Sequence, residues 1–349
     1  MLNLQVIFTS LGEVTGTIAV VAIAVFVIEI VLYFLLARVL KWQHALPIML
    51  LAPGIVGILA LIAWPLIFEA FMAFTNWNIS TLRGGYDIGV NVLWGHLTRI
   101  FAGDILQGLN FWPLLFRTLQ WTFIQVAFHV TFGLAIAMLL NRPMKVRGIY
   151  RTILLTPWAI PQIVAVLVMR GEFSRYGFPN QILQSIGMDR ISWQSEAFWN
   201  WISINVTNIW LGVPFMMVIL LGGLQSIDGN YYEAAEMDGG GWLTKFRHIT
   251  LPLLQPVMTP AVILGVIWTF NLFNIPYFLN PQELQESEIL VTALFRVFYQ
   301  VNQYGLAAAF AFVIFFMLIG FAIFYMRVTN FEPVQGESKK APRSKAVGE

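Results

Sequence analysis

Residues 223–253 read GLQSIDGNYYEAAEMDGGGWLTKFRHITLPL, and this polar connector lies between two continuously apolar runs. The runs are Trp201–Leu221 and Val257–Leu279, and each has the roughly 20 apolar residues that a membrane-spanning helix needs. The pattern predicts two spanning helices joined by a structured polar segment on one face of a membrane.

The polar connector contains the residues of two short helices separated by glycines. Ser226 and Asp228 are suitable N-caps for a first helix that continues to Asp238. Gly239–Gly241 end this helix, because glycine accepts the left-handed conformation of a C-terminal cap. A second short helix, Trp242–His248, is predicted to lead to the next span, so that the connector projects from the membrane face.

The composition of the whole chain is that of an integral membrane protein. Of its 349 residues, 58% are apolar and 11% are charged, whereas soluble domains have roughly a quarter of their residues charged. This excludes a soluble domain, a disordered chain and a nucleic-acid-binding protein, and a net charge of +2 selects no polyanionic partner. The chain has no cysteine, which excludes disulfides and thiolate metal sites.

Seven stretches are long and apolar enough to span a membrane, and their continuous apolarity favours helices over a strand barrel. They are Thr15–Leu36, Leu46–Phe68, Leu119–Leu140, Ile153–Met169, Trp201–Leu221, Val257–Leu279 and Leu306–Met326. We therefore predict an all-α polytopic membrane protein of about seven spans. Residues 1–44 are predicted to hold the first span with its connection, residues 45–330 the other six spans, and residues 331–349 a disordered tail.

The distribution of basic residues predicts the orientation. Four connections that share one face in a seven-span chain hold 13 of the 20 lysines and arginines. The densest cluster comprises Arg142, Lys145, Arg147 and Arg151. Basic residues accumulate on the cytoplasmic side, so the N-terminus is predicted to be outside and the C-terminus inside. The lysine-rich tail is a candidate contact for anionic lipid.

The sequence lacks the common motifs of catalytic sites. The four histidines lack metal-ligand spacing, and no G-x-S-x-G motif occurs. No lysine follows a glycine, so the chain has no G-x-x-x-x-G-K-[ST] loop through which to bind ATP. The sequence predicts neither catalytic residues nor a metal or cofactor in this chain.

Two interpretations of the polar connector remain open on physical grounds. It is either an ordinary amphipathic loop or a docking surface for another protein. Ala234 and Ala235 leave a smooth surface that a partner can approach closely, and Glu233 and Asp238 offer carboxylates to a basic partner.

The spacing within the connector resembles the EAA signature of binding-protein-dependent ABC transporter permeases. The matching residues are Glu233, Ala234 and Ala235, then Gly239 after three residues, then Ile249, Leu251 and Pro252 after nine more. Further stretches are similar to carbohydrate permeases of the MalF-like kind: residues 155–161 (LTPWAIP), 210–216 (WLGVPFM), 223–227 (GLQSI) and 304–309 (YGLAAA). The resemblance covers roughly residues 46–328. Since the core of such permeases has six spans, it implies that residues 45–330 form the permease core and that the helix in residues 1–44 is an N-terminal addition.

The resemblance implies a permease subunit of an ABC importer in the cell membrane of a prokaryote. Its cargo would be a sugar or oligosaccharide that an external binding protein delivers. The implied partners are a second, MalG-like permease and a cytoplasmic ATPase dimer that binds ATP and Mg²⁺. The residues implied to couple the permease to the ATPase are Glu233, Ala234, Ala235, Asp238, Gly239, Ile249, Leu251 and Pro252. Glu233 would pair with a basic group of the ATPase.

Polar residues within the predicted sixth span are candidates for substrate contacts. Asn271 and Asn274 are three residues apart and would share one helix face. Interhelical hydrogen bonding is the favoured role on physical grounds alone, but the resemblance favours contacts to a sugar, whose hydroxyls suit amides and whose C–H faces suit aromatic rings. The predicted substrate-contact residues are Leu211, Gly212, Phe215, Phe270, Asn271 and Asn274.

Other intramembrane polar residues are predicted to be structural. We expect Gln125 and His129, and also Asn205 and Asn208, to form hydrogen bonds between helices. Glu29, in the first span, is either protonated or paired with another subunit. The alternative function is a secondary transporter driven by an ion gradient, a class that usually carries carboxylates near the midplane of its core spans.

Overall fold

The computed structural model describes residues 4–39, 41–42, 45–81, 84–102, 105 and 108–329. The predicted all-α class is confirmed: these residues form helices, and their only β-type pairing is an isolated bridge between Thr75 and Ile88. The predicted tail, residues 331–349, and its lipid contact lie outside the described residues.

The chain forms two compact units, one within residues 4–72 and one within residues 73–329. In the first unit, α1 (Leu4–Leu32) continues through a π-helical segment, and α2 (Ala45–Ile58) is joined to α3 (Trp64–Ala73) by another. The helices of the second unit are α4 (Val90–Ala102), α5 (Phe111–Leu140), α6 (Arg147–Ala159), α7 (Gln162–Glu172), α8 (Phe178–Ser185), α9 (Ala197–Gln225), α10 (Gly229–Met237), α11 (Trp242–Lys245), α12 (Leu251–Phe270), α13 (Asn274–Leu279), α14 (Leu290–Tyr299) and α15 (Tyr304–Val328). The sequence-based division at residues 44 and 330 stays a prediction.

Five helices among the described residues are long and apolar enough to cross a membrane. They are Leu46–Ala73, Phe111–Leu140, Ala197–Gln225, Trp242–Phe270 and Tyr304–Val328. The bent pair α6 and α7 would make a sixth span. Helix α1 overlaps the first predicted span but is not one of these five, so the count of seven and the orientation stay predictions.

The predicted fourth span, Ile153–Met169, is not one continuous helix. The chain bends by 88° between α6 and α7. Ile160 at the bend is extended, with φ −72° and ψ 137°. The following Pro161 causes this, because its ring disfavours the α conformation of the preceding residue.

The prediction of one helix over Val257–Leu279 is also wrong. The spanning helix begins at Trp242, passes through a π-helical turn at Phe246–Thr250 and ends at Phe270. Asn271 is its C-cap, and α13 begins only at Asn274. The span is therefore displaced towards the polar connector, and the second short connector helix that we predicted is the first turn of this span.

Helix α9 is the centre of the second unit. It packs along α5 at small residues, and a Cβ atom added to Gly133 would come within 3.0 Å of the Met216 side chain. The C-terminal half of α9 buries Met217, Leu220 and Leu221 in one apolar cluster with α5 and α12. Such close packing matters in a membrane, because lipid tails are as apolar as the side chains and dispersion contacts must hold the helices together.

Candidate functional sites

Helix α10 carries the first half of the EAA signature on an exposed surface. The Asp228 side chain accepts a hydrogen bond from the backbone N–H of Asn230 at 3.0 Å, which confirms Asp228 as an N-cap, whereas Ser226 caps the end of α9. The helix ends at Met237, and just beyond it Gly239 has a φ of +75°, in the left-handed region, as predicted. Glu233, Ala234 and Asp238 are exposed, and Ala235 is half-buried.

The second half of the signature lies where the span begins. Ile249 closes the π-helical turn, and Leu251 and Pro252 start α12. The N–H of Leu251 donates to the carbonyl of Phe246, five residues earlier. This wide turn coincides with Pro252, whose nitrogen cannot donate a hydrogen bond to His248.

Within the second half of the connector, the rings of Trp242 and Phe246 stack at 5.6 Å. Two contacts tie the two halves together. The Lys245 ammonium lies 3.3 Å from the Glu236 carboxylate. The Tyr232 hydroxyl lies 3.1 Å from the Thr250 hydroxyl at the head of the span. The hydroxyl contact joins α10 to the head of the spanning helix, and the exposed ion pair adds little to it.

A cavity of about 140 Å³, here called the membrane cavity, lies beside the middle of α9. Helices α5, α6, α7, α9 and α12 contribute to it. Its lining residues are His129, Trp158, Gln162, Asn208, Leu211, Gly212, Phe215, Met216, Gly265, Trp268, Thr269 and Leu272.

Aromatic rings form one side of the membrane cavity. Phe215 lies between two tryptophans, with ring centroids 5.9 Å from Trp158 and 4.9 Å from Trp268. The tryptophans are 56% and 53% exposed, which is high for large apolar side chains beside a cavity. Their faces are available to a ligand or to another subunit.

Polar groups form the other side. The His129 ring nitrogen Nε2 lies 3.1 Å from the backbone carbonyl of Asn208, and no Cβ fits at Gly212 because it would overlap this ring. The Asn208 amide nitrogen is buried and has no hydrogen-bond partner among the described residues. An unpaired buried donor is costly, so this amide is a candidate contact for a bound hydroxyl.

The structure brings together only half of the predicted substrate-contact residues. Leu211, Gly212 and Phe215 line the membrane cavity. Phe270, Asn271 and Asn274 do not, and the expectation that they share one helix face is wrong because the helix ends at Phe270.

The three remaining residues have other surroundings. Phe270 is buried and lines an apolar cavity between α5, α12 and α15. The exposed Asn271 donates its amide to the carbonyl of Ile267 in its own helix, at 3.0 Å. Asn274 donates to the Gln162 side chain at 3.1 Å, so it touches the membrane cavity only through Gln162.

Six further polar or aromatic residues of the lining were not predicted from the sequence as ligand contacts: His129, Trp158, Gln162, Asn208, Trp268 and Thr269. The available signals were the tryptophan between two prolines in residues 155–161 and the asparagines of the fifth predicted span. The predicted interhelical bonds are nevertheless confirmed for Gln125, which donates to the Asn205 side chain at 2.7 Å, and for His129.

We expect the Gln125–Asn205 pair to stabilise the packing of α5 on α9. In a double-mutant cycle of Gln125→Leu and Asn205→Leu, the coupling free energy of unfolding in detergent should be ~0.5–2 kcal/mol, the size of hydrogen bonds between membrane helices. Thermal unfolding of the purified protein measures it. If the losses of unfolding free energy in the two single variants add up to the loss in the double variant, the hydrogen bond between the two side chains does not stabilise the packing.

In the described part of the chain, no group of three or more histidine, aspartate or glutamate side chains is placed to hold a metal ion.

Residues 129–333, more than half of the chain, match the family described as binding-protein-dependent transport system inner membrane component. The chain belongs to this family. It is therefore a non-enzymatic ABC permease subunit and a multi-pass protein of the cell membrane, and the predicted resemblance to MalF-like permeases is confirmed.

Several characterised relatives are similar over most of this permease. The galactooligosaccharides transport system permease protein GanP of Bacillus subtilis is 30% identical over 83% of this chain and 72% of its own. The diacetylchitobiose uptake system permease protein DasB of Streptomyces coelicolor is 30% identical over 81% and 86%. The trehalose/maltose transport system permease protein MalF of Thermococcus litoralis is 33% identical over 65% and 77%. These relatives lend no support to the ion-gradient alternative.

A solved structure shares the fold. A chain of a bacterial ABC transporter that imports the acidic polysaccharide alginate superposes with a TM-score of 0.70, at 21% identity, over 82% of this permease and 96% of that chain.

Proposed function

We propose that this permease is one half of the pore of an importer that moves a sugar or oligosaccharide into the cytoplasm. An external binding protein delivers the cargo, a MalG-like sister permease forms the other half of the pore, and a separate ATPase dimer binds ATP and Mg²⁺. The observation that carries the proposal is the membrane cavity, which combines exposed aromatic faces with an unpaired buried amide.

The lining of the membrane cavity suits the two kinds of surface on a sugar. A pyranose ring offers apolar C–H faces, which pack against Trp158 and Trp268. It also offers hydroxyl groups that donate and accept, which suit the amides of Gln162 and Asn208. The names of the relatives, which refer to galactooligosaccharides, trehalose, maltose and diacetylchitobiose, support the same class of cargo.

The small volume of the membrane cavity supports the proposal that a second permease subunit completes the site. Sites for small molecules usually enclose about 300–1,000 Å³, whereas the membrane cavity measures about 140 Å³. This chain therefore supplies one wall of the site. The sister permease supplies the other and covers the exposed tryptophan faces.

Features of the polar connector support the proposal that an ATPase is a partner. The Glu233 carboxylate is exposed and makes no hydrogen bond or ion pair with any described residue. In the proposed complex it pairs with a basic group of the ATPase, and Asp238 and the small residues Ala234 and Ala235 let the partner approach closely.

Assembly and sugar stimulation test this proposal together. The tagged permease, expressed with its own operon neighbours, should copurify with a second permease and an ATPase. In vesicles that contain the binding protein, one or a few sugars of a panel of maltose, trehalose, galactooligosaccharides and diacetylchitobiose should stimulate ATP hydrolysis. Purification without an ATPase, or equal hydrolysis with and without every sugar, would contradict the proposal.

A further inference from the structure

A second cavity, here called the boundary cavity, lies where α5 ends and the polar connector packs against it. It measures about 340 Å³. Its charged lining residues are Arg142, just after α5, and Lys245, in the connector. No role assigned above to the permease uses this cavity.

The charged side chains that line the boundary cavity are both basic. The exposed Arg142 side chain forms no ion pair or hydrogen bond within the described part of the chain. Lys245 is only 23% exposed, and its partner, Glu236, is 74% exposed, so this ion pair is of the weak surface type. Both basic side chains are therefore available to attract an anion.

The other walls are apolar and aromatic. Met138 and the buried Leu224 belong to the ends of the spanning helices α5 and α9. Trp242 stacks on Phe246 at the cavity and is 62% exposed. Tryptophan and arginine together are typical of the level at which a span leaves the hydrocarbon and meets the headgroups.

We propose that the boundary cavity binds the phosphate headgroup of an anionic phospholipid. The phosphate lies between Arg142 and Lys245, and the glycerol and upper acyl carbons pack on Met138 and Leu224. Basic pockets between spanning helices bind such headgroups. A lipid is favoured over a soluble phosphate because the cavity opens where two spans end and has an apolar floor.

The bound lipid has a consequence for coupling. Arg142 follows the end of α5, whereas Lys245 and Trp242 belong to the polar connector. A phosphate that bridges them holds the connector against α5 and stiffens the link between the docking surface and the spanning helices.

The test uses the assembled transporter in vesicles of phosphatidylcholine, with and without phosphatidylglycerol. Phosphatidylglycerol should remain bound to the purified complex and should raise ATP hydrolysis stimulated by the loaded binding protein. Arg142→Gln should weaken the binding of the retained lipid about fivefold, the effect of one basic residue at a membrane surface. It should also remove the dependence of ATP hydrolysis on phosphatidylglycerol. Lys145→Gln, an exposed neighbour outside the cavity lining, is the matched control and should behave like the unchanged protein.

Three outcomes would overturn the proposal. In the first, glycerol phosphate or inorganic phosphate, added to pure phosphatidylcholine vesicles, reproduces the stimulation, which identifies a soluble anion. In the second, Arg142→Gln releases the ATPase in every lipid, which identifies a segment of the ATPase as the occupant. In the third, Lys145→Gln loses as much lipid as Arg142→Gln, which identifies general surface charge. Lipid retention is measured without sugar, so this test is independent of the cargo.

Discussion

Replacing Glu233 with alanine should abolish most of the ATP hydrolysis that sugar and binding protein stimulate, while the permease still inserts and folds. The carboxylate makes no bond to any described residue of this chain, so its loss costs little stability in the permease itself. A charge-assisted bond to the ATPase is worth ~1.5–3 kcal/mol, or roughly a 10- to 150-fold change in docking. Stimulated hydrolysis in reconstituted vesicles measures the effect.

The matched control is Glu236→Ala on the same helix. It removes a carboxylate of the same kind, whose weak surface pair with Lys245 contributes little. The control should retain near-normal coupling. If Glu233→Ala also remains fully coupled, the docking role of α10 is wrong.

A second pair of variants tests the geometry of the same surface. Gly239 has a φ of +75°, which a β-branched side chain tolerates poorly, so Gly239→Val should misalign α10 and uncouple the transporter. Gly241 has an ordinary φ of −71°, and a Cβ there would meet open space, so Gly241→Val should remain coupled. Equal coupling in both would show that the left-handed cap is unimportant.

The second large effect is expected at Asn208 in the membrane cavity. Its buried amide nitrogen lacks a partner among the described residues, so Asn208→Leu removes an unsatisfied donor. Such a donor costs ~1–3 kcal/mol, and the thermal stability of the variant should be unchanged or higher. Sugar uptake should nevertheless fall by at least tenfold, because a sugar hydroxyl loses its partner.

The control for this variant is Asn271→Leu, the same change at an exposed position that caps its own helix. We expect it to transport nearly normally. Normal uptake by Asn208→Leu would show that this amide does not contact the cargo. A loss of uptake in Asn271→Leu alone would place the cargo beside the end of α12, as the sequence first indicated.

Local chemistry made several features predictable from the sequence. Asp228 caps a helix because its short carboxylate reaches the N–H of Asn230. Gly239 ends that helix because it lacks a Cβ. Gln125 pairs with Asn205 because a polar side chain in an apolar span needs a partner.

The end of α12 could not be predicted, because apolar residues continue on both sides of Asn271 and Asn274 within residues 257–279. Contacts between distant segments decide it. The Trp121 indole N–H donates to the carbonyl of Thr269 in the last turn, at 3.0 Å, and Gln162 accepts from Asn274 after the break. Both partners lie more than a hundred residues away in sequence.

The membrane cavity was unpredictable for the same reason. Trp158 and Trp268 come together only because Pro161 bends the chain by 88° and α9 inserts Phe215 between them. The three α9 residues that the resemblance implied, Leu211, Gly212 and Phe215, line this cavity, and their contact with the cargo stays a prediction. The resemblance gave no information on the tryptophans of α6 and α12.

Uptake of labelled sugar into vesicles is the most direct test of the central claim. The vesicles contain the assembled transporter and internal ATP, and the sugar is the one that best stimulates hydrolysis. Import should require both ATP and the external binding protein, and it should continue when ionophores collapse every ion gradient. Import that needs neither ATP nor the binding protein and stops with the ionophores would contradict the account.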